Sequence, residues 1–150
     1  MEKATNRPKG QDPALIAVLE LLKTGYWYDR EVRTVLKPLD ISHEQFNVLR
    51  ILEHHRPRKF SLKEIQNRLM NKTANTTRLV EKLKQKKLIT SDYSSTNRRI
   101  LEIQLTDSGL KLLKRTRKPL QQLSKRIKTV LKPGDSKELI RILRKIRTAN

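Results

Sequence analysis

The chain has 150 residues, with 35 Lys or Arg against 15 Asp or Glu, a formal net charge of +20, and no cysteine. The length suits one domain, and the missing thiols exclude disulfides, thiolate catalysis and thiol redox sensing. The cationic excess favours a polyanionic partner, nucleic acid foremost, and with no run near the roughly 20 apolar residues of a membrane span and no apolar signal core, a cytoplasmic location without membrane contact is expected.

Residues 1–11 are polar, contain Pro and Gly, and read as a loose arm. Asp12-Pro13 then reads as an N-cap with proline in the first turn. A helix follows with Leu15, Val18, Leu19 and Leu22 on one stripe, continued by Tyr26; it is expected to end near Leu36, because Lys37 precedes Pro38. Tyr26, Trp27 and Tyr28 hold half of the aromatic residues. They suit either a dimer core or the lining of a pocket for a small aromatic or anionic ligand.

Ser42 with Gln45, and Ser61 with Glu64, are two capping boxes, each with an apolar staple beside it, Ile41–Phe46 and Phe60–Ile65. The first opens a helix carrying Phe46, Leu49 and Leu52 that ends at His54-His55-Arg56-Pro57; the second opens one that turns Leu62, Ile65 and Leu69 to the core. From Asn71 the spacing of Thr76, Leu79, Val80 and Leu83 predicts a further helix with one buried face. Its other side presents Thr73, Ala74, Thr77 and Arg78, with Asn75 on the flank and Lys82, Lys84, Lys86 and Lys87 towards the end. A short polar first half followed by a cationic second half suits a helix laid in a DNA major groove. Leu88 and Ile89 start a strand, Leu101, Ile103 and Leu105 alternate with Glu102 and Gln104 in a returning one, and Ser94 to Arg99 reads as a solvated loop between them. Asn97, Arg98 and Arg99 place amide and cations near its tip, so the hairpin reads as a wing that contacts phosphates or the minor groove.

Thr106-Asp107-Ser108 starts a long helix with Leu110, Leu113, Leu120, Leu123, Ile127 and Val130 on one seam, kinked at Pro119 rather than broken. Pro133-Gly134-Asp135 marks a turn, and Asp135 with Glu138 caps a last helix bearing Leu139, Ile142, Leu143 and Ile146. The first helix and the two last ones carry stripes that a chain of this size buries most simply against its own copy, giving a C2 dimer that presents two recognition helices to a pseudo-palindrome. Charge is uneven: residues 71–99 hold 8 basic and 2 acidic side chains, and residues 111–150 hold 14 and 2. The first excess fits a DNA face; the second has no evident purpose on helices assigned to a dimer.

The run TANTTRLVEKLKQKKLI at 73–89, the loop residues NRR at 97–99 and LTDSG at 105–109 resemble the multiple-antibiotic-resistance regulator (MarR) family of winged-helix repressors, over roughly Leu15 to the C-terminus and most specifically over Ser42–Gly109. Members carry a DxR or DRR signature in the wing; here Asn97 stands at the Asp position, which removes a carboxylate that would hold the wing arginine. The resemblance implies a mainly α fold with a small β-hairpin wing: a winged helix-turn-helix lobe at 41–110, and dimerisation helices at 12–37 and 111–150. It also implies a dimeric, sequence-specific regulator of double-stranded DNA, acting as a repressor relieved by a small-molecule effector. Thr73, Ala74, Asn75, Thr77, Arg78, Lys82, Asn97, Arg98 and Arg99 are the expected DNA-binding residues, and Tyr26, Trp27 and Tyr28 the expected ligand contacts.

A nonspecific nucleoid-type or RNA-binding structural protein is the alternative that the charge allows. Catalysis finds no support: there is no glycine-rich phosphate loop, no paired carboxylates in an apolar setting, and no nucleophile with an evident base. His43, His54 and His55 are the only histidines, and the adjacent pair points to different sides of its helix, so neither a metal nor another cofactor is expected.

Overall fold

The computed structural model describes residues 12–70 and 75–149. Six helices and one hairpin follow in the order α1 (Pro13–Leu36), α2 (His43–His54), α3 (Leu62–Arg68), α4 (Thr76–Gln85), β1 (Ile89–Tyr93), β2 (Leu101–Leu105), α5 (Asp107–Val130) and α6 (Pro133–Thr148). The expected arm at residues 1–11 lies outside the described residues.

Local chemistry sets the boundaries. Asp12 accepts the Ala14 N–H at 2.9 Å and Pro13 takes the first turn of α1. A 3-10 turn at Lys37–Leu39 ends that helix and leaves Asp40 with a φ of 52°. Both expected capping boxes form: Ser42 Oγ accepts from Gln45 N and Gln45 Oε1 from Ser42 N, and Ser61 and Glu64 repeat the exchange. The staple residues Ile41, Phe46, Phe60 and Ile65 are all buried.

Helix α4 closes with a Schellman motif, in which Leu88 N donates to Leu83 O at 3.0 Å and Lys87 N to Lys84 O at 2.8 Å. Leu83 and Leu88 are both buried beneath it. The left-handed position is Lys87, with a φ of 57°, where glycine would carry no Cβ penalty. Lys87→Gly is expected to raise stability by about 1 kcal/mol in a chemical denaturation curve, with no change in helix content.

The hairpin pairs Ile89 with Leu105 and Tyr93 with Leu101, antiparallel, and Phe60 adds a one-residue bridge to Ile103 through bonds of 2.9 and 2.8 Å. The start of α3 and the wing are thereby fastened to each other. Around them lies the core: Val48, Leu49 and Leu52 of α2, Ile65 of α3, Val80 and Leu83 of α4, and Ile103 of β2, each at most 3% exposed. These are the residues that the 3.6 and 2.0 periodicities mark.

The start of α6 and the seam of α5 differ from the sequence reading. Pro133-Gly134-Asp135 is not the turn but the first turn of α6: proline's fixed φ suits the first helical position, and Asp135 Oδ2 accepts the Lys132 N–H at 3.1 Å. The expected apolar seam of α5 is also divided. Leu113 and Leu123 are buried and Leu120 and Ile127 half-buried against the core within one chain, while Val130 is 76% exposed. Helix α5 runs through Pro119 without a break.

Candidate nucleic-acid interface

Helix α4 buries Thr76, Val80 and Leu83 and turns Thr77, Arg78 and Lys82 outwards. Thr73 and Ala74 lie outside the described residues. Asn75 is not part of the helix, as the sequence reading had it, but its N-cap: Oδ1 accepts the Arg78 N–H at 3.0 Å. That bond engages the amide oxygen a bidentate contact to adenine would need, and leaves the amide nitrogen as the group Asn75 can offer a partner.

The exposed side chains part towards two grooves. Arg78 and Lys82, one helical turn apart, face a groove shared with Arg33 and Lys37 from the end of α1, together with Asp40 and Glu44. Thr77 faces the other, between α4 and the hairpin, beside Glu81, Lys84, Asp92 and Tyr93. Arg33 and Lys37 were not found from sequence. Some forty residues separate them from α4, and only the packing of α1 and α2 under that helix brings them there.

The lysines at the end of α4 divide as well. Lys84 Nζ donates to Ser91 O at 2.7 Å and ties the helix to β1, while Lys86 pairs with the Asp40 carboxylate at 2.8 Å and pulls that group below its ordinary range. Lys82 and Lys87 stay exposed without an acidic partner among the described residues. A cation held by a fixed acceptor is poorly placed to neutralise a phosphate, so two of the four lysines do structural work.

The wing loop is a folded turn rather than wholly solvated. Ser94 is buried, its N–H donates to Ile100 O at 2.8 Å, and its hydroxyl meets Thr96 Oγ1 at 3.0 Å. Asn97 Oδ1 accepts the Arg99 N–H at 3.0 Å, an Asx turn, and Asn97 O accepts from Ile100 N at 2.9 Å. Asn97 thus shapes the tip through its own backbone environment, and its amide holds the turn without a carboxylate. Arg98 and Arg99 are exposed and form no ion pair among the described residues.

Of the three aromatic residues near the middle of α1, only Tyr28 faces a cleft. Val32, His43, Phe46, Leu113, Thr116 and Leu120 line it with Tyr28; Arg50 adds positive charge, and Arg117 pairs there with Glu53 at 2.7 Å. Its volume of about 390 Å³ falls at the small end of the range for ligand sites. Tyr26 is 76% exposed and stands away from it, and Trp27 is half-buried against the core.

At the mouth of the cleft His43 Nδ1 lies 2.6 Å from Asp29 Oδ1. Arg33 Nε donates to Asp29 Oδ2 at 2.6 Å, and the same guanidinium donates to Glu44 Oε1 at 2.9 Å. The hydrogen bonds from Arg33 and then His43 hold the Asp29 carboxyl below its ordinary range and keep it charged. One polar chain, His43–Asp29–Arg33, therefore joins the cleft to the groove beside Arg78.

A three-helix lobe with paired capping boxes, an exposed polar and cationic helix and a hairpin carrying arginines defines a winged helix-turn-helix. Residues 41–101 match the model of the MarR family, and the lobe belongs to that family. The chain is 29% identical to a MarR transcription factor from Planctomyces limnophilus, covering 91% of this chain and 98% of that one with a TM-score of 0.69. The same fold occurs in the S. aureus MepR–DNA complex, at 21% identity and a TM-score of 0.79, covering 87% and 96% of the two chains. It occurs again in Bordetella bronchiseptica BpsR, whose DNA binding is regulated by 6-hydroxynicotinic acid, at 20% identity and a TM-score of 0.73, covering 97% and 100%. No curated protein matches the sequence. Among the described residues no helix is long and apolar enough to cross a membrane.

Proposed function

We propose that the chain is a transcriptional regulator that binds a pseudo-palindromic operator as a homodimer and represses until a small effector releases it. The observation that carries the DNA reading is the set of exposed cations with no intramolecular acidic partner among the described residues on two adjoining elements, Arg78 and Lys82 on α4 and Arg98 and Arg99 on the wing. Ordinary surface cations are interspersed with acids; these sit on the two elements that a winged helix lays against a duplex. The P. limnophilus relative is a transcription factor and MepR is a DNA-bound protein of the same fold, which agrees with that assignment.

The two elements have different tasks. Arg78, on a rigid helix, is placed to read a guanine edge, and Arg78→Ala is expected to relax preference at particular base pairs by about 1–3 kcal/mol. Arg99, on a loop tip, reaches phosphate or the minor groove. Arg99→Ala should weaken operator and random DNA alike and lower the slope of log affinity against log salt by about one for each phosphate that its guanidinium neutralises in a half-site. Binding titrations at four salt concentrations on both DNAs separate the two patterns. A loss confined to one base pair would make the wing a reader instead.

The dimer reading rests on faces that one chain leaves bare. Leu15 and Leu22 of α1 are 55% and 51% exposed, and Leu139, Ile142 and Ile146 of α6 are 41%, 40% and 44% exposed. No residue of α6 is buried. An apolar stripe recurring at i, i+3, i+4, i+7 on a helix whose Leu139, Ile142 and Ile146 stay exposed among the described residues suits a second copy carrying the same stripe. Sedimentation at micromolar concentration should give a dimer, and Ile142→Glu, which sets a charge in that stripe, a monomer with the winged lobe still folded.

Effector relief is assigned to the Tyr28 cleft. The cation Arg50 beside apolar walls suits a small aromatic anion, the chemical class to which the BpsR ligand belongs, while Arg117 is held by Glu53 at 2.7 Å. A ligand that displaced His43 or Asp29 would disturb Arg33 and, through it, the groove beside Arg78, which gives the coupling between sites that induction requires. Trp27 fluorescence, titrated with phenolic carboxylates with and without DNA, reads both halves of that statement.

A further inference from the structure

Helix α5 carries a second cationic surface that the winged helix does not use. Between Asp107 and Asp135 the chain has no carboxylate at all. Lys111, Lys114, Arg115, Lys118, Lys125 and Lys128 recur at spacings of three, four and seven along α5, all exposed and none with an acidic partner among the described residues. At 100° per residue they lie opposite Leu113, Thr116, Leu120 and Leu123, so the apolar edge of α5 faces inwards and this band faces out. At 1.5 Å per residue the band from Lys111 to Lys128 is about 25 Å long.

Two arginines on the flanks of the same helix show what a compensated cation looks like here. Arg117 reaches Glu53 at 2.7 Å and Arg126 reaches Glu31 at 2.9 Å. Acids are therefore supplied where α5 packs on α2 and α1, and withheld along the outward band. Like charges at i, i+3 and i, i+4 repel on a helix, so the band carries an internal repulsion that an external polyanion would relieve. A lipid surface fits poorly: a helix that lies on a bilayer inserts its apolar face, and that face of α5 is already packed inside the molecule. A duplex, with a negative charge every ≈1.7 Å of its axis, presents a straight anionic edge to such a band.

We propose that the outward face of α5 is a second, sequence-independent nucleic-acid surface, separate from α4 and the wing, which binds the phosphate backbone of a further duplex segment. The test is a titration of the full chain with a random 20-base-pair duplex over a salt series. Beside it run the Lys111→Gln/Lys114→Gln pair, the Lys125→Gln/Lys128→Gln pair and the combination of all four. The wild type should take up a second, weaker and strongly salt-dependent complement of duplex. Each pair should reduce the salt slope of that complement by about two, and the combination should abolish it. The tighter binding, sensitive to Arg99→Ala, should stay as it is. Circular dichroism should give unchanged or higher melting temperatures, since repulsion is removed; the two pairs, read separately, keep the comparison available if the fourfold variant melts early. Equal stoichiometry and slope in all variants would overturn the proposal. So would loss of flotation with phosphatidylglycerol vesicles while the duplex complement is retained, since that would make the band a lipid-binding face.

Discussion

Phe60→Ala should destabilise the fold by about 3–5 kcal/mol, the range for truncating a buried aromatic side chain. The residue is 1% exposed, and three elements rely on it. It is the apolar staple before α3, its backbone exchanges two hydrogen bonds with Ile103 of β2, and its ring lies under the guanidinium carbons of Arg58 and Arg68 at 5.0 and 5.1 Å. Because the same side chain packs the helix-turn-helix against the wing, the loss should fall on function too. At temperatures where the variant is still folded, DNA affinity should drop further than in Arg99→Ala, and protection of β2 amides from hydrogen exchange should fall towards that of the wing loop. Urea denaturation followed by circular dichroism gives the first number and exchange the second.

Gly109→Ala should destabilise by about 3 kcal/mol, against the usual direction for a helical glycine. In an open helix the change gains about 1 kcal/mol. At Gly109 an added Cβ would overlap the backbone carbonyl oxygen of Leu88 and stand 2.6 Å from Leu105 Cδ1. The carbonyl cannot move aside, because it accepts the Thr106 N–H at 3.1 Å, and Thr106 Oγ1 both donates to Lys87 O at 2.9 Å and accepts from Gly109 N at 3.0 Å. Overpacking against fixed backbone sits at the costly end of its range. Gly134, in the first turn of α6 with nothing within 4 Å, is the control: Gly134→Ala should be neutral or mildly stabilising in the same denaturation series.

Much of the lobe was legible in the sequence because its signals are local. A capping box spans four residues and a staple six, so Ser42 with Gln45 and Phe60 with Ile65 can be read without knowing the fold, and the period-two alternation of β2 shows which side faces inwards. What could not be read was set by a single backbone bond or by packing across distance. Asn75 and Thr77 look alike as polar residues near a helix start. Only the bond from Arg78 N to Asn75 Oδ1 makes one the cap and leaves the other an exposed helical residue. Lys84 and Lys86 read as free cations until β1 and Asp40 come beside them. Pro133 and Gly134 carry the composition of a turn, yet proline is equally at home in the first turn of a helix, and composition does not distinguish the two. The aromatic triple of α1 could not be divided in sequence either: consecutive residues on a helix point about 100° apart, and it takes the packing to set Tyr28 on the cleft, Trp27 against the core and Tyr26 in the open.

In the proposed function, α4 and the wing present a sequence-reading surface to duplex DNA. It is tested most directly by footprinting the full chain on the region upstream of its own gene, with Arg78→Ala beside it. The expected footprint is a discrete pseudo-palindromic stretch with two protected half-sites one helical turn apart, tighter than random DNA by a factor of at least about 10³, and a loss of preference at particular positions in each half-site for the variant. Uniform protection along the whole fragment, at similar affinity for wild type and variant, would contradict it and leave the chain a nonspecific nucleic-acid-binding protein.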